Sequence, residues 1–100
     1  MAITTKIVTE FKERMRLGDD EDANLMRILS ASLEALKKVC GDYDIETDEA
    51  FKELVFERSR YAYNDALEYF NNNFLNQINT FGVNKALEEI VLEGDLPETI

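Results

Sequence analysis

The chain has no histidine, no tryptophan, a single cysteine (Cys40), a single proline (Pro97) and four glycines in 100 residues. Without histidine the commonest general base is missing, and zinc loses its usual nitrogen ligand. One cysteine excludes a disulfide within the chain. Cys40 ends an apolar helical pattern with no activating neighbour, which reads as a small core residue rather than a reactive thiol. So few glycines and prolines leave too few tight turns for a sandwich or barrel. No apolar run approaches the roughly 18 residues of a membrane span. The opening Met1-Ala2-Ile3-Thr4-Thr5-Lys6 lacks the apolar core of a signal peptide, so the expectation is a chain without membrane contact, compatible with a reducing cytoplasm. Neither a GxxxxGK phosphate loop nor a GxGxxG turn is present.

What the chain does have is ordinary apolar content and an excess of acid. Hydrophobic residues make up 45%, enough for one modest core, and a chain this short buries roughly 65% of its unfolded surface. We read residues 1–100 as one domain. Acids outnumber bases by 21 to 11, for a net charge of -10. A protein that grips DNA by neutralising phosphates must be basic, so this chain does not hold nucleic acid by charge.

Periodicity predicts an all-α fold, a small bundle of four to five helices with an extended C-terminal tail. Ile7, Val8, Phe11 and Met15 make a stripe on a first helix from about Thr5 to Met15, with Gly18 as the stop. The acids Asp19, Asp20, Glu21 and Asp22 then precede a second helix from Ala23 to Cys40, where negative charge complements the helix start. Leu25, Ile28, Leu29, Ser32, Leu33, Leu36, Val39 and Cys40 form its buried face, Lys37 and Lys38 occupy its last turn, and Gly41 ends it. Thr47 or Asp48 caps a third helix placed at 48–71, with Asn71-Asn72-Asn73 breaking it. Phe74 to Phe81 either continues that helix or forms a short one. Gly82 interrupts, Asn84 caps a last helix from Lys85 to about Leu92, and 93–100 is an extended tail.

Side chains that carry chemistry are scarce. Acids are plentiful, but they fall in loops and caps, where no rigid catalytic pair is indicated. Asp42 to Glu53 has acids at the first, third, fifth, seventh and twelfth places of a calcium loop, yet Thr47 stands where the tight turn needs glycine. It reads as an acidic loop followed by a helix cap. Arg58, Arg60, Tyr61 and Tyr63 form a basic-aromatic cluster on the third helix. In an acidic chain the arginines are expected to pair with carboxylates of the acidic loops, in the same or a neighbouring subunit, while the tyrosines fill a core or an interface. The expectation is a non-enzymatic chain with no cofactor and no metal.

Charge is unevenly spread: residues 1–18 carry +2, 19–22 carry -4, 42–50 carry -5 and 81–100 carry -4. Such asymmetry suits head-to-tail packing of identical subunits.

The opening helix, Arg14-Met15-Arg16-Leu17-Gly18, the acids 19–22 and the long apolar helix ending at Gly41 together resemble the head-tail connector (adaptor, or head-completion) proteins of long-tailed phages. Residues 57–68, Glu-Arg-Ser-Arg-Tyr-Ala-Tyr-Asn-Asp-Ala-Leu-Glu, resemble the form found in phages and prophages of Gram-positive bacteria. The resemblance spans about residues 5–92 and implies a structural role in the virion, at the head-tail interface, after synthesis in the host cytoplasm. It implies a ring, typically dodecameric, beneath the portal protein, extending the DNA channel and offering a surface to stopper or tail-completion proteins. DNA would pass through without specific binding. The expected contacts with neighbouring subunits or portal are Leu92, Leu96, Pro97 and Ile100 in the tail, Asp42, Asp44 and Glu46 in the acidic loop, and Arg58 and Arg60. Asp19, Asp20, Glu21 and Asp22 are expected at the lumen or an interface. The tail after Leu92 is short and acidic, a departure from the family pattern. The composition also fits a different class, a small acidic binding module such as an inhibitor or DNA mimic.

Overall fold

The computed structural model describes residues 3–93, with side chains to Ile90. Four α-helices follow one another: α1 Thr5–Met15, α2 Asp22–Cys40, α3 Glu49–Tyr63 and α4 Phe70–Glu93, with a 3₁₀ turn at Leu67–Tyr69 leading into α4. The described residues contain no strand, as the sequence predicts.

Helix starts follow local chemistry. The Thr4 hydroxyl accepts from the Ile7 amide at 3.3 Å, and the Asp48 carboxylate accepts from the Phe51 amide at 3.0 Å. The way two of the helices end is less expected. Helix α1 ends at Met15 as predicted, but Arg16 caps it rather than Gly18, and α3 ends at Tyr63, eight residues short of the predicted Asn71. Both use the same device. Arg16 and Asp65 adopt left-handed backbone (φ 59 and 58), and the following amides reach back to Lys12 and Tyr61 carbonyls at 2.9 and 2.8 Å.

Asn71, Asn72 and Asn73 do not break a helix; they lie exposed in the first turns of α4. Phe70 and Ile78 are buried on one side of α4, and that burial outweighs the weak propensity of asparagine. The helix bends at Phe74 (φ -119, ψ 17) and continues without a new cap at Asn84. Nor does Gly82 interrupt it. A Cβ there would lie 3.0 Å from the Val39 carbonyl oxygen, so the bare glycine lets α4 close on the last turn of α2.

Helix α2 is the centre. Both α3 and α4 pack on it, and α1 touches it as well. Leu25, Leu29, Leu33, Leu36 and Cys40 line its inner face against Ile7, Phe11, Phe51, Val55 and Phe70. Val39, predicted on that face, is exposed instead. Aromatic pairs close the two ends. Tyr43 stacks on Phe51 at 5.2 Å and meets Phe81 edge-on at 5.0 Å, while Tyr61 meets Phe70 and Phe74, each at 5.7 Å. The result is elongated, 55 by 26 by 17 Å, with a radius of gyration of 15.4 Å against about 13 Å for a typical globule of this length.

Candidate functional site

The acidic residues singled out from the sequence hold the fold locally. Lys12 on α1 donates to Asp19 at 2.8 Å and to Asp22 at 2.9 Å, clamping the turn between α1 and α2. Those hydrogen bonds hold the Asp19 carboxyl below its ordinary range and raise the Lys12 ammonium above its own. Tyr63 donates to Glu21 at 2.6 Å, tying the end of α3 to the start of α2. Asp20 is exposed and has no partner among the described residues.

The 42–48 loop behaves in the same way. Asp44 accepts from the Glu46 amide at 2.9 Å, Glu46 accepts from the Thr4 hydroxyl at 3.3 Å, and Asp48 caps α3. Asp42 stands 4.0 Å from Lys37. An acidic loop with a helix cap is therefore what the Asp42–Glu53 stretch forms, with its carboxylates turned to backbone and neighbouring side chains.

Of the two places expected for the arginines' partners, only those within one chain are visible. Neither reaches an acidic loop of its own chain. Arg60 pairs with Glu57 one turn earlier at 2.7 Å and lies over the Tyr61 ring. Arg58 points at α2, where it donates to the buried Ser32 hydroxyl at 3.2 Å. No carboxylate among the described residues pairs with it, and burial lowers its pKa from the usual arginine range. Cys40 is buried and its thiol is pushed up to about 11 by burial, as suits a core residue. Leu92 lies in the last turn of α4; Leu96, Pro97 and Ile100, with the rest of the predicted tail from Gly94, lie outside the described residues.

Two features were not anticipated. The first is a groove of about 400 Å³ between α3 and α4, where both helices rest on α2 yet diverge from each other. Ala50 and Leu54 of α3 and Phe74 and Phe81 of α4 line it, and Glu53, Glu57 and Gln77 stand on its sides. Arg14 pairs with Glu53 and Arg60 with Glu57, so each carboxylate on the α3 side is matched by a guanidinium.

The second is the far end of α4. Cys40, the last residue of α2, is level with Ile78, whose carbonyl accepts from its thiol at 3.9 Å. The Tyr43 hydroxyl donates to the Phe81 carbonyl at 2.6 Å, and Lys85 lies 4.3 Å over the Tyr43 ring. Beyond that point Ala86, Leu87, Glu88 and Glu89 are all exposed. Val83 and Leu87, one turn apart, are 58% and 52% exposed, and Leu75 lies two turns earlier with 52% exposure. Their spacing of multiples of four was readable in the sequence. What hid the stripe was the absence of any sign that α2 ends before α4 does.

No described helix is long and apolar enough to cross a membrane. No family model, no curated protein and no solved structure matches the chain.

Proposed function

We propose that this chain is a structural subunit that acts by assembling with copies of itself, as a ring of the head-tail connector kind between a phage portal and the stopper or tail. The observation that carries the proposal is the outer face and end of α4, where Val83, level with the last turn of α2, and Leu87, one turn further on, are exposed to solvent. Apolar side chains grouped on a projecting helix mark a surface that a partner covers. The elongated all-helical shape and the sequence resemblance support the same reading.

In such a ring the chain serves as spacer and docking surface, and DNA passes through the channel unretained. Asp20, exposed and without a partner among the described residues, suits a lumen that repels phosphate. The acidic-module reading draws less support. A DNA mimic needs free carboxylates in an array, and Asp19, Asp22 and Glu21 are held by Lys12 and Tyr63.

Sedimentation velocity tests the proposal, with the full chain alone over a range of concentration and then with an assembled portal ring. The expected result is a small species alone that converts to a discrete large one when concentrated or when portal is added. A chain that stays single under both conditions overturns it. Binding to a basic partner, weakening steeply with salt, would instead favour the acidic module.

A further inference from the structure

We propose that Arg58 is the point at which one copy of the chain receives a carboxylate side chain of another copy. The inference deepens the self-assembly proposed above and rests on it.

Arg58 is the one cation among the described residues that is both drawn partly out of water and left without a counter-charge. The other half-buried cations, Lys12, Lys37, Lys52, Arg60 and Lys85, each stand within 4.0 Å of a carboxylate. Lys6, Arg16, Arg27 and Lys38 have no such partner among the described residues, but all four are exposed, where water solvates the charge. Arg58 has only the Ser32 hydroxyl, at 3.2 Å. In a chain with 21 acids and 11 bases, a partly dehydrated guanidinium that meets none of those acids is an exception.

Fold stability does not account for it. A charge taken from water without a counter-charge costs more than a well-packed apolar side chain of the same size. The arrangement does suit an incoming anion. Ser32 is fully buried, so its hydroxyl holds one arm of the guanidinium in a fixed direction. A guanidinium has five N–H donors, and this bond uses one of them. Arg58 is not fully covered, so a group from outside can reach the donors that remain. A carboxylate takes two parallel N–H bonds from such a fork, and part of the dehydration and ordering it requires has already occurred in the single chain.

The donor of that carboxylate is a second copy. A nucleic acid would bring a row of phosphates against an acidic surface, whereas one side chain brings a single charge to a single fork. The chain has such groups to give: Asp20 and Glu34 are exposed and have no cation within bonding distance among the described residues. Each copy therefore offers one open fork and spare acids, and the pairing can repeat from copy to copy.

Zero-length coupling in the full-length chain tests this. Arg58→Lys places an amine at the same position, and a carbodiimide joins that amine directly to whichever carboxylate it meets. Unlabelled and heavy-isotope-labelled Arg58→Lys chains are mixed, assembled by concentration or on a portal ring, coupled, digested and read by mass spectrometry. The expected product joins the peptide carrying position 58 to an acidic peptide of this chain, with light–heavy pairs among the links. In parallel, Arg58→Met is expected to keep its helical content and melting behaviour while association weakens by roughly tenfold or more. Links confined to a single isotope overturn the proposal, because an acid of the same chain then meets Arg58. Links to a portal peptide overturn it in favour of that partner. No link at position 58, or undiminished association of Arg58→Met, overturns it and leaves self-assembly standing if the parent chain still associates. A parent chain that never associates sinks both readings together.

Discussion

Gly82 and Val39 meet without a side chain between them: the α-carbon of Gly82 faces the Val39 carbonyl so closely that an added Cβ would sit 3.0 Å from that oxygen. This contact sets how closely α4 lies on the last turn of α2, and three residues on Lys85 still packs beside Gly41. Replacing Gly82 by valine is expected to push the helices apart and lower stability by about 1–3 kcal/mol, the usual range for overpacking. Urea denaturation at constant m-value checks it. An unchanged midpoint would mean that α4 is not held at this point.

Two helix ends use left-handed residues that are not glycine, and this predicts a gain. Asp65→Gly relieves a side chain at φ 58 on an exposed turn. The expected stabilisation is about 0.5–1 kcal/mol, because glycine adopts this backbone region without the clash other residues suffer. Thermal melting followed by circular dichroism reads it. A lower melting temperature would contradict the assignment of Asp65 as the end of the motif.

The same two residues explain where the sequence could be read and where it could not. Helix α1 was legible over Thr5–Met15, and α2 to within one residue, because their apolar stripes are clean and their caps ordinary. The end of α3 was not. The apolar pattern runs on through Ala62, Ala66 and Tyr69, and nothing in composition marks Asp65 as left-handed. The asparagines 71–73 read as a break, yet Phe70 and Ile78 bury enough apolar surface to carry the helix past them. Gly82 reads as an interruption because close approach of another backbone is invisible in one dimension. Among the acids, the Asp48 cap was legible from local rules. The Lys12 clamp on Asp19 and Asp22 was not, since it depends on how the turn after Arg16 folds back. The exposed end of α4 needed the relative lengths of two packed helices, which periodicity does not provide.

That clamp and its counterpart on α3 give a pH dependence. Lys12 holds the Asp19 carboxyl below its ordinary value of 3.8, and Arg14 holds that of Glu53 below 4.5, in each case chiefly through the hydrogen bond. Carboxyls with lowered folded-state values contribute stability that is complete above their unfolded values and is lost as pH falls through the folded ones. The melting temperature is therefore expected to drop as pH falls below about 4.5, with a small amplitude because both groups are exposed. A combined Asp19→Asn and Glu53→Gln variant is expected to fall less steeply. Equal slopes in the two proteins would show that these pairs add nothing.

Arg58 is the half-buried cation whose partner is a neutral hydroxyl. Replacing it by methionine keeps the packing of the stem and removes an unmatched charge. Stability is expected to stay within about 1 kcal/mol of the parent, and to rise if it moves. Denaturant titration measures the change. A loss well beyond that would show that Arg58 is held by contacts stronger than the Ser32 hydrogen bond.

The central claim is that this chain works through repeated contact between copies. Native mass spectrometry of the concentrated full-length protein, with electron microscopy of the same sample, tests it most directly. The account predicts one dominant assembly at a whole-number multiple of the chain mass, seen in the microscope as a closed ring with an open channel. A single chain at every concentration, or filaments and aggregates without a defined copy number, would contradict it.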